Sequence, residues 1–192
     1  GLSVVSDIDD TIKAREVRDR KALLANTFLR PLAPVEGMSE LYRAWASSGA
    51  AFHYVSASPW QLYAPLGEFL KTNRFPDGSM HMKAFRWKDR GAFSPFGKQE
   101  GYKRGAILPL LRAFPARRFV LVGDSGEQDP EIFGALARAF PDRVAAVFIR
   151  DAGGGARARR YAKAFAGLRP GRWKVFKSPA ELPAGVGELL QR

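Results

Sequence analysis

Three carboxylates follow a short apolar run near the start of the chain. Val4 and Val5 lead through a serine to Asp7, Asp9 and Asp10. If the apolar run is a buried strand of an open α/β sheet, Asp7 and Asp9 lie just past its carboxyl end, where such sheets place their ligands. Carboxylate oxygens are the ligands that hard cations prefer. The spacing therefore predicts that these two acids share one hard cation at the edge of a sheet.

A fourth acid ends a second apolar run. The segment Arg118–Asp124 contains five consecutive apolar or glycine residues before its terminal carboxylate. If the two runs are neighbouring parallel strands, Asp7 and Asp124 meet at one edge. Mg²⁺ binds one or two carboxylates together with substrate phosphate, and this pair supplies them. The sequence therefore predicts Mg²⁺ as the cofactor.

Apolar runs and helical patterns alternate along the rest of the chain. The patterns predict strands over 2–6, 51–56, 80–85, 118–124, 144–149 and 173–176, the last at an edge. They predict helices over 38–45, 60–72 and 99–114 and from 129 onward. Ser58 is a candidate N-cap for the second helix, and Pro59 suits its first turn. This alternation predicts a parallel, right-handed, Rossmann-like sheet.

Length and composition favour a single domain over residues 1–192. The chain has 46% hydrophobic residues and no cysteine, so it has no disulfides and no thiolate metal site. No apolar run approaches the roughly 18 residues that a membrane span needs. We expect a cytoplasmic protein, peripheral at membranes. Because the chain starts at Gly1 and enters an apolar strand at once, we also expect native sequence before it.

Three strings extend the acidic motifs. They are Asp-Ile-Asp-Asp-Thr-Ile-Lys from Asp7, Ser-Ala-Ser-Pro-Trp-Gln-Leu from Ser56 and Gly-Asp-Ser-Gly-Glu-Gln-Asp-Pro-Glu-Ile from Gly123. The first resembles the opening motif of the haloacid dehalogenase (HAD) phosphohydrolases. Together they resemble the catalytic domain of the actin-patch phosphatidate phosphatase family, relatives of the lipins, over about residues 2–178. The resemblance implies an α/β, HAD-like Rossmannoid three-layer sandwich with a central, mostly parallel sheet and a small or absent cap, to which 15–30 would belong.

The resemblance also implies roles for the acids. Asp7 would attack phosphorus and form an aspartyl-phosphate, as carboxylates do in covalent phosphoryl transfer. The residue that matches Asp9 gives the metal its backbone carbonyl, which leaves its side chain to protonate the leaving alkoxide and deprotonate the hydrolytic water. The metal ligands would then be Asp7, Asp9 and Asp124.

The remaining site residues are expected around these acids. Thr11 would form a hydrogen bond within the loop and hold Asp9 in place. Ser56, with its neighbour Ala57, would bind a phosphoryl oxygen, and Thr11 and Lys103 would complete the substrate-binding residues. Lys103 would neutralise the charge shared by Asp7 and the phosphoryl group, with Lys98 as the other candidate. Behind the metal ligands we expect three further side chains, namely Asp10, Ser125 and Asp129. Asp129 would orient Lys103 or the waters of the metal, although it is equally a candidate N-cap for its own helix.

Three functions compete on this evidence. The first is a Mg²⁺-dependent phosphatidate phosphatase that forms diacylglycerol and phosphate at membrane surfaces. The second is a HAD phosphatase of a soluble phosphomonoester or a phosphoprotein. The third is a nucleic-acid-binding module, which we rank lowest because acids at the strand ends repel a phosphate backbone and few aromatic side chains are interleaved with the basic ones. We therefore expect a phosphomonoester as substrate and no nucleic acid as partner.

The charge balance suggests a membrane partner. The chain carries 31 Lys and Arg against 19 Asp and Glu. Nine of the basic residues lie between positions 150 and 177, namely Arg150, Arg157, Arg159, Arg160, Lys163, Arg169, Arg172, Lys174 and Lys177. Trp173 and Phe176 accompany them, and a basic face beside aromatic residues is typical of binding to anionic lipid. The alternative is a solvated helix face.

Overall fold

A computed structural model of the chain describes residues 1–14, 32–83, 97–152 and 158–190. The predicted flap over 15–30 and the triple glycine at 153–155 lie outside the described residues. In the described parts, no helix is both long and apolar enough to cross a membrane.

Six parallel strands form one sheet. They are β1 (Leu2–Ser6), β2 (Ala51–Pro59), β3 (Gly78–Lys83), β4 (Arg118–Asp124), β5 (Val144–Arg150) and β6 (Trp173–Phe176). Their order across the sheet is β3-β2-β1-β4-β5-β6, and every pairing between neighbours is parallel. The predicted parallel sheet, with the last strand at its edge, is therefore confirmed.

Helices connect and cover the strands. They are α1 (Met38–Ser47), α2 (Tyr63–Thr72), α3 (Gly97–Ala113), α4 (Asp129–Ala139), α5 (Ala158–Ala164) and α6 (Val186–Leu190). Single 3₁₀ turns lie at Trp60–Leu62 and Pro179–Glu181. Strands thus alternate with helices along the chain, as expected for right-handed parallel crossovers.

Each strand contributes to two cores because successive side chains point to opposite faces of the sheet. In β1, Val4 packs into a core with Trp45 of α1, whereas Val5 packs into a second core with Phe133 of α4. All four side chains are almost fully buried. Helices therefore cover both faces, and the predicted three-layer α/β architecture is confirmed.

The strand order determines where the site lies. The chain moves outward from β1 to β2 and β3 on one side and from β4 to β6 on the other. Ligands of such sheets bind at the point where the order reverses, which here lies between β1 and β4. Ser6 pairs with Val122, so Asp7 and Asp124 leave the sheet side by side.

One predicted boundary is wrong in a way that matters for the site. β2 continues through Ser58 to Pro59, where a helix was expected to begin. Pro59 is extended, with ψ of 148°, and no side chain caps the 3₁₀ turn that follows it. The hydroxyl of Ser58 is bonded elsewhere, to Asp9, so it does not act as an N-cap.

Candidate active site

The loop after β1 is folded back on itself. The backbone amide of Asp7 donates to the Val122 carbonyl of β4 at 2.9 Å, which continues the sheet by one residue. Asp10 then adopts φ of 58°, in the left-handed region that Asp tolerates better than most residues. The turn brings the Thr11 hydroxyl onto Asp7, to whose Oδ2 it donates at 3.0 Å. The expected hydrogen bond of Thr11 within the loop is therefore present, but its partner is Asp7 and not Asp9, because the tight turn brings Asp7 within its reach.

Three buried carboxylates converge beside this loop. One oxygen from each of Asp7, Asp124 and Asp129 lies within 4.8 Å of the others. Lys103 contacts Asp7 and Asp129, and Glu127 contacts Lys103; we call these five residues the acid cluster. Such a group of oxygen ligands fits a hard divalent cation.

Lys103 lies at the centre of the acid cluster. Its Nζ lies 2.9 Å from Asp7 Oδ1, 2.9 Å from Glu127 Oε2 and 2.6 Å from Asp129 Oδ1. Burial opposes the charge of Lys103, but the three carboxylates outweigh it and hold the pKa of Lys103 well above its usual range. Between the two candidate lysines, the structure brings Lys103 to Asp7, and the side chain of Lys98 lies outside the described residues.

Burial raises the pKa of the acids, whereas it lowers that of a lysine. Desolvation raises the pKa of Asp7 well above its ordinary value, although Lys103 opposes that change. Burial, followed by the charge of Asp129, raises the pKa of Asp124 to about 7. Both shifts reflect negative charge concentrated in a space from which water is excluded.

Asp124 provides the sharpest test of whether a cation fits. Its Oδ1 accepts a hydrogen bond from the Gly126 amide, while its Oδ2 is buried and receives no hydrogen bond from any described residue. A buried carboxylate oxygen without a donor is costly unless a cation approaches it. The donor set therefore fits a divalent metal, which agrees with the sequence prediction.

Asp129 approaches the sheet closely because Gly123 has no side chain. A Cβ at Gly123 would lie 2.3 Å from Asp129 Oδ2 and 2.7 Å from the Phe133 ring. Asp129 Oδ2 accepts from the Asp124 amide at 3.2 Å, and its Oδ1 faces Lys103. The capping position of α4 is Gln128, without a side-chain bond, so the alternative of Asp129 as an N-cap is wrong.

Asp9 belongs to a separate group of polar side chains. Its Oδ2 accepts hydrogen bonds from Ser58 Oγ at 2.9 Å and Ser56 Oγ at 3.2 Å, and its Oδ1 lies 2.6 Å from Lys13 Nζ. We call Asp9, Lys13, Ser56 and Ser58 the Asp9 group. Burial would raise the pKa of Asp9, but Lys13 and the two hydroxyls prevail and lower it.

The end of β2 shapes the Asp9 group. The pairing of β2 with β3 shifts register between Ser56 and Pro59, which makes room for two serines to reach one carboxylate. Ser56 Oγ also accepts from the Ser58 amide at 3.0 Å. Ala57, predicted to bind substrate, is half-buried between them. Sequence reasoning gave no site role to Ser58 or to Glu127, although both lie inside the strings that carry the resemblance.

The other two predicted supporting residues shape neighbouring loops. The Asp10 carbonyl accepts from Arg150 Nη1 at 2.7 Å, which ties the loop after β1 to the end of β5. The Ser125 amide donates to the Arg150 carbonyl at 2.9 Å, and its hydroxyl donates to Asp151 at 3.3 Å. Both residues therefore join the carboxyl ends of β1, β4 and β5.

Arg160 of α5 secures the loop that follows β4. Its guanidinium donates to the carbonyls of Ser125, at 2.5 Å, and of Glu127, and it pairs with both oxygens of Glu131 at 2.7 and 2.8 Å. Arg160 was predicted as part of a lipid-binding cluster. The structure shows the donors of Arg160 bonded to the loop beside the acid cluster, and its role in lipid binding stays a prediction.

The aromatic residues of the predicted lipid-binding face pack against other parts of the protein. Phe176 is 1% exposed and belongs to the core. Trp173 stacks on Phe165 with ring centroids 4.6 Å apart. Neither is an exposed ring beside a basic surface, since β6 packs both against the helices that cover the sheet. Arg157 lies outside the described residues.

Residues 2–151 match the family model of the catalytic domain of phosphatidate phosphatase APP1. The chain belongs to this family. An uncharacterised protein of Schizosaccharomyces pombe is 36% identical over 155 residues, covering 79% of this chain and 25% of that protein. Phosphatidate phosphatase APP1 of Saccharomyces cerevisiae is 33% identical over 155 residues, covering 78% of this chain and 26% of that protein. The chain thus spans about a quarter of the length of these relatives.

The fold has a solved counterpart. The crystal structure of D,D-heptose 1.7-bisphosphate phosphatase from B. bronchiseptica, complexed with magnesium and phosphate, covers 100% of this chain and 98% of its own, with a TM-score of 0.52 and 13% identity. At that identity the likeness concerns the fold alone, and it confirms the HAD-like α/β architecture. The matched model describes the catalytic domain of a phosphatidate phosphatase, so the predicted family is confirmed.

Proposed function

We propose that this domain is a Mg²⁺-dependent phosphatidate phosphatase that releases diacylglycerol and phosphate through an aspartyl-phosphate on Asp7. One observation carries the proposal: the Asp7 carboxylate is held by Thr11 on one oxygen and by Lys103 on the other, next to the carboxylate of Asp124. A nucleophile fixed in this way needs little reorientation before it attacks.

The chemistry proceeds in two steps. Asp7 attacks phosphorus, a carboxylate oxygen–phosphorus bond forms, and the phosphorus–oxygen bond to the glycerol breaks. The departing alkoxide takes a proton from the Asp9 group, in which Lys13 and Asp9 together hold it across a 2.6 Å contact. Water then attacks the phosphorus of the aspartyl-phosphate, and the bond from phosphorus to Asp7 breaks. The proton from water returns to the pair of Lys13 and Asp9, which releases phosphate and restores both the Asp9 group and the Asp7 carboxylate.

The acid cluster would hold the metal. Asp7 and Asp124 would bind it through their carboxylates, and Asp9 through its backbone carbonyl. A bound Mg²⁺ supplies Lewis-acid neutralisation of the charge that Asp7 and the phosphoryl group share. Lys103 adds a second positive charge at Asp7, and Asp129 keeps its ammonium group in place. Ser56, whose hydroxyl lies 3.2 Å from Asp9 in the loop after β1, would bond a phosphoryl oxygen.

Charge and family support the proposed substrate and location. The S. cerevisiae relative is named as a phosphatidate phosphatase, and the formal net charge of +12 favours an anionic surface. We therefore assign phosphatidate as substrate, with the domain in the cytoplasm and peripheral at anionic membranes. The alternative is a soluble phosphomonoester or a phosphoprotein, because the two groups of residues act on the phosphoryl group and not on the lipid.

A substrate panel tests the proposal. We expect phosphatidate in mixed detergent micelles to be hydrolysed with a higher kcat/KM than water-soluble phosphomonoesters and phosphopeptides. Chelation should abolish turnover, Mg²⁺ should restore it, and Ca²⁺ should not, because the larger ion accepts more ligands and a looser geometry. Full activity in excess chelator would contradict the metal assignment. Preference for a soluble ester would contradict the lipid assignment and leave the phosphatase chemistry intact.

A further inference from the structure

Two aromatic rings are exposed together in the turn after β2. Trp60 is 52% exposed and Tyr63 is 43% exposed, and their rings stack with centroids 4.6 Å apart. Of the described residues, one other large hydrophobic side chain is comparably exposed, Phe114 at 40%. Phe114 follows α3 and precedes β4, so it lies at the opposite edge of the sheet. The stacked pair is therefore a local feature of one edge.

The aromatic pair stands beside the candidate active site. Trp60 follows Ser58 by two residues, and the Ser58 hydroxyl donates to Asp9 at 2.9 Å. Trp60 and Tyr63 therefore project from the edge where the carboxylates of β1 and β4 lie. Stacking fixes both rings relative to each other, while about half of the surface of each residue is exposed to water. Neither ring belongs to either core.

Positive charge accompanies the pair. Lys83, the last residue of β3, pairs in the sheet with Pro59, directly before Trp60. The whole chain carries a formal net charge of +12. Amphipathic rings beside lysine and arginine are the combination with which peripheral proteins enter the headgroup region of anionic bilayers.

We propose that Trp60 and Tyr63 form an interfacial anchor that seats the catalytic edge of the sheet on an anionic membrane surface. The choice of partner follows from size and charge. The exposed area of two half-exposed rings is far smaller than the roughly 600–800 Å² that each partner buries in a stable protein interface. They are sufficient for shallow insertion into a bilayer, where the attraction of a cationic protein adds to their burial. The anchor would replace the face around Trp173 and Phe176 that the sequence suggested.

The inference rests on the proposed function in assigning a lipid substrate, whereas membrane binding itself needs no turnover. The decisive experiment therefore measures binding separately from catalysis. Sedimentation uses vesicles of phosphatidylcholine with phosphatidylserine, which the site is not expected to hydrolyse, at two salt concentrations. The test variant is the double substitution Trp60→Ala with Tyr63→Ala, and the matched control is Phe114→Ala, an exposed ring at the opposite edge.

We expect the apparent Kd of the double variant for these vesicles to rise about tenfold or more, because two large, half-exposed rings no longer enter the bilayer. Phe114→Ala should bind like the parent chain. Binding of the parent should weaken as salt rises and should be slight on neutral vesicles. Trp60→Phe should retain part of the affinity. The thermal unfolding midpoint should change little in each variant, since the rings lie outside both cores.

Three results would overturn the anchor. The first is unchanged vesicle binding by the double variant, and the second is equal weakening by Phe114→Ala. The third is a loss of kcat/KM on p-nitrophenyl phosphate as large as the loss of vesicle binding, which would make the rings part of the substrate pocket. Failure of the proposed function looks different: the parent would bind the vesicles through the pair and still not hydrolyse phosphatidate.

Discussion

Asp7 and Asp9 are two residues apart, yet they belong to opposite halves of the site. Asp7 lies in the acid cluster, where buried carboxylates surround one lysine. Asp9 lies in the Asp9 group, where two hydroxyls and one lysine surround a single carboxylate. The first half has an excess of negative charge, and the second is balanced. Burial raises the pKa of Asp7 and the balanced surroundings lower that of Asp9.

In the proposed mechanism, this contrast would let one loop supply two kinds of chemistry. Carboxylates whose surroundings move their pKa values apart are suited to different roles in a reaction. Excess negative charge around Asp7 creates a place for a cation, which would return Asp7 to its ionised, nucleophilic form. The hydroxyls and Lys13 instead stabilise the ionised form of Asp9, which is the form that accepts a proton from water. The left-handed turn at Asp10 separates the two environments within a few residues.

Exchanging each carboxylate for its amide is the strongest way to test this contrast. Asp7→Asn should abolish turnover because the nucleophile is lost. Asp9→Asn should slow turnover by about 10² to 10⁴-fold, or about 3 to 5 kcal/mol, because it removes acid and base help. The measurement is steady-state turnover with the unfolding midpoint as a check of folding. If Asp7→Asn retains more than a few per cent of the parent rate, another residue is the attacker.

Removing the lysine at the centre of the acid cluster should affect both stability and activity. Lys103→Met leaves three carboxylates without their common partner, so we expect a loss of about 3 to 5 kcal/mol in the free energy of unfolding, together with loss of turnover. Urea unfolding in the presence of chelator measures the first quantity.

The matched control is Lys98→Met, the other lysine that the sequence offered. It should leave the free energy of unfolding and the turnover close to those of the parent. The reverse result, with Lys98→Met inactive and Lys103→Met active, would transfer the catalytic cation to Lys98.

The acid cluster was more predictable from sequence than the Asp9 group. Asp7 and Asp124 could be paired in advance because each ends an apolar strand, and parallel strands end at one edge. The contact of Ser58 with Asp9 could not be predicted in the same way. It depends on a register shift between β2 and β3 that leaves no local signal in the sequence. The same residue pattern fits a helix N-cap. Glu127 was missed because its contact with Lys103 depends on the loop after β4 and not on a periodic element.

The position of the proposed lipid-binding face was the least predictable part of the surface. Charge and aromatic content between 150 and 177 suggested it, but composition does not distinguish a stacked or buried ring from an exposed one. Phe176 is buried because it lies in the same core as Leu189 of α6. Trp60 is exposed because a single 3₁₀ turn carries it away from both cores.

A milder test separates the contributions within the Asp9 group. Ser58→Ala removes the shorter of the two hydroxyl bonds to Asp9, and bonds to charged groups are worth about 1.5 to 3 kcal/mol. We expect turnover to fall about tenfold to a hundredfold, with little change in KM. Ser48→Ala, which removes a hydroxyl bonded to a carbonyl at the end of α1, is the control and should have no effect on turnover. A fall in thermal stability without a change in kcat would show that Ser58 is only structural.

The smallest effect should come from outside the family match, at Arg160. Residues 2–151 match the family model, so the residue that holds the Ser125–Glu131 loop lies beyond it. The Arg160–Glu131 pair is partly exposed, with side-chain exposures of 27% and 45%, and contributes little by itself. The bonds to the carbonyls of Ser125 and Glu127 matter more, because they set the position of Glu127 beside Lys103.

We therefore expect Arg160→Ala to lower kcat about threefold to tenfold, corresponding to about 0.7 to 1.4 kcal/mol, with KM nearly unchanged. Arg160→Lys should restore part of the rate, since an ammonium group reaches fewer of the acceptors. The neighbouring Arg159, exposed on the same helix, is the control: Arg159→Ala should leave kcat as it is. Equal effects of the two substitutions would indicate a general influence of positive charge. A selective loss at Arg160 would show that the acid cluster depends on α5, whereas the Asp9 group is complete within residues 9–58.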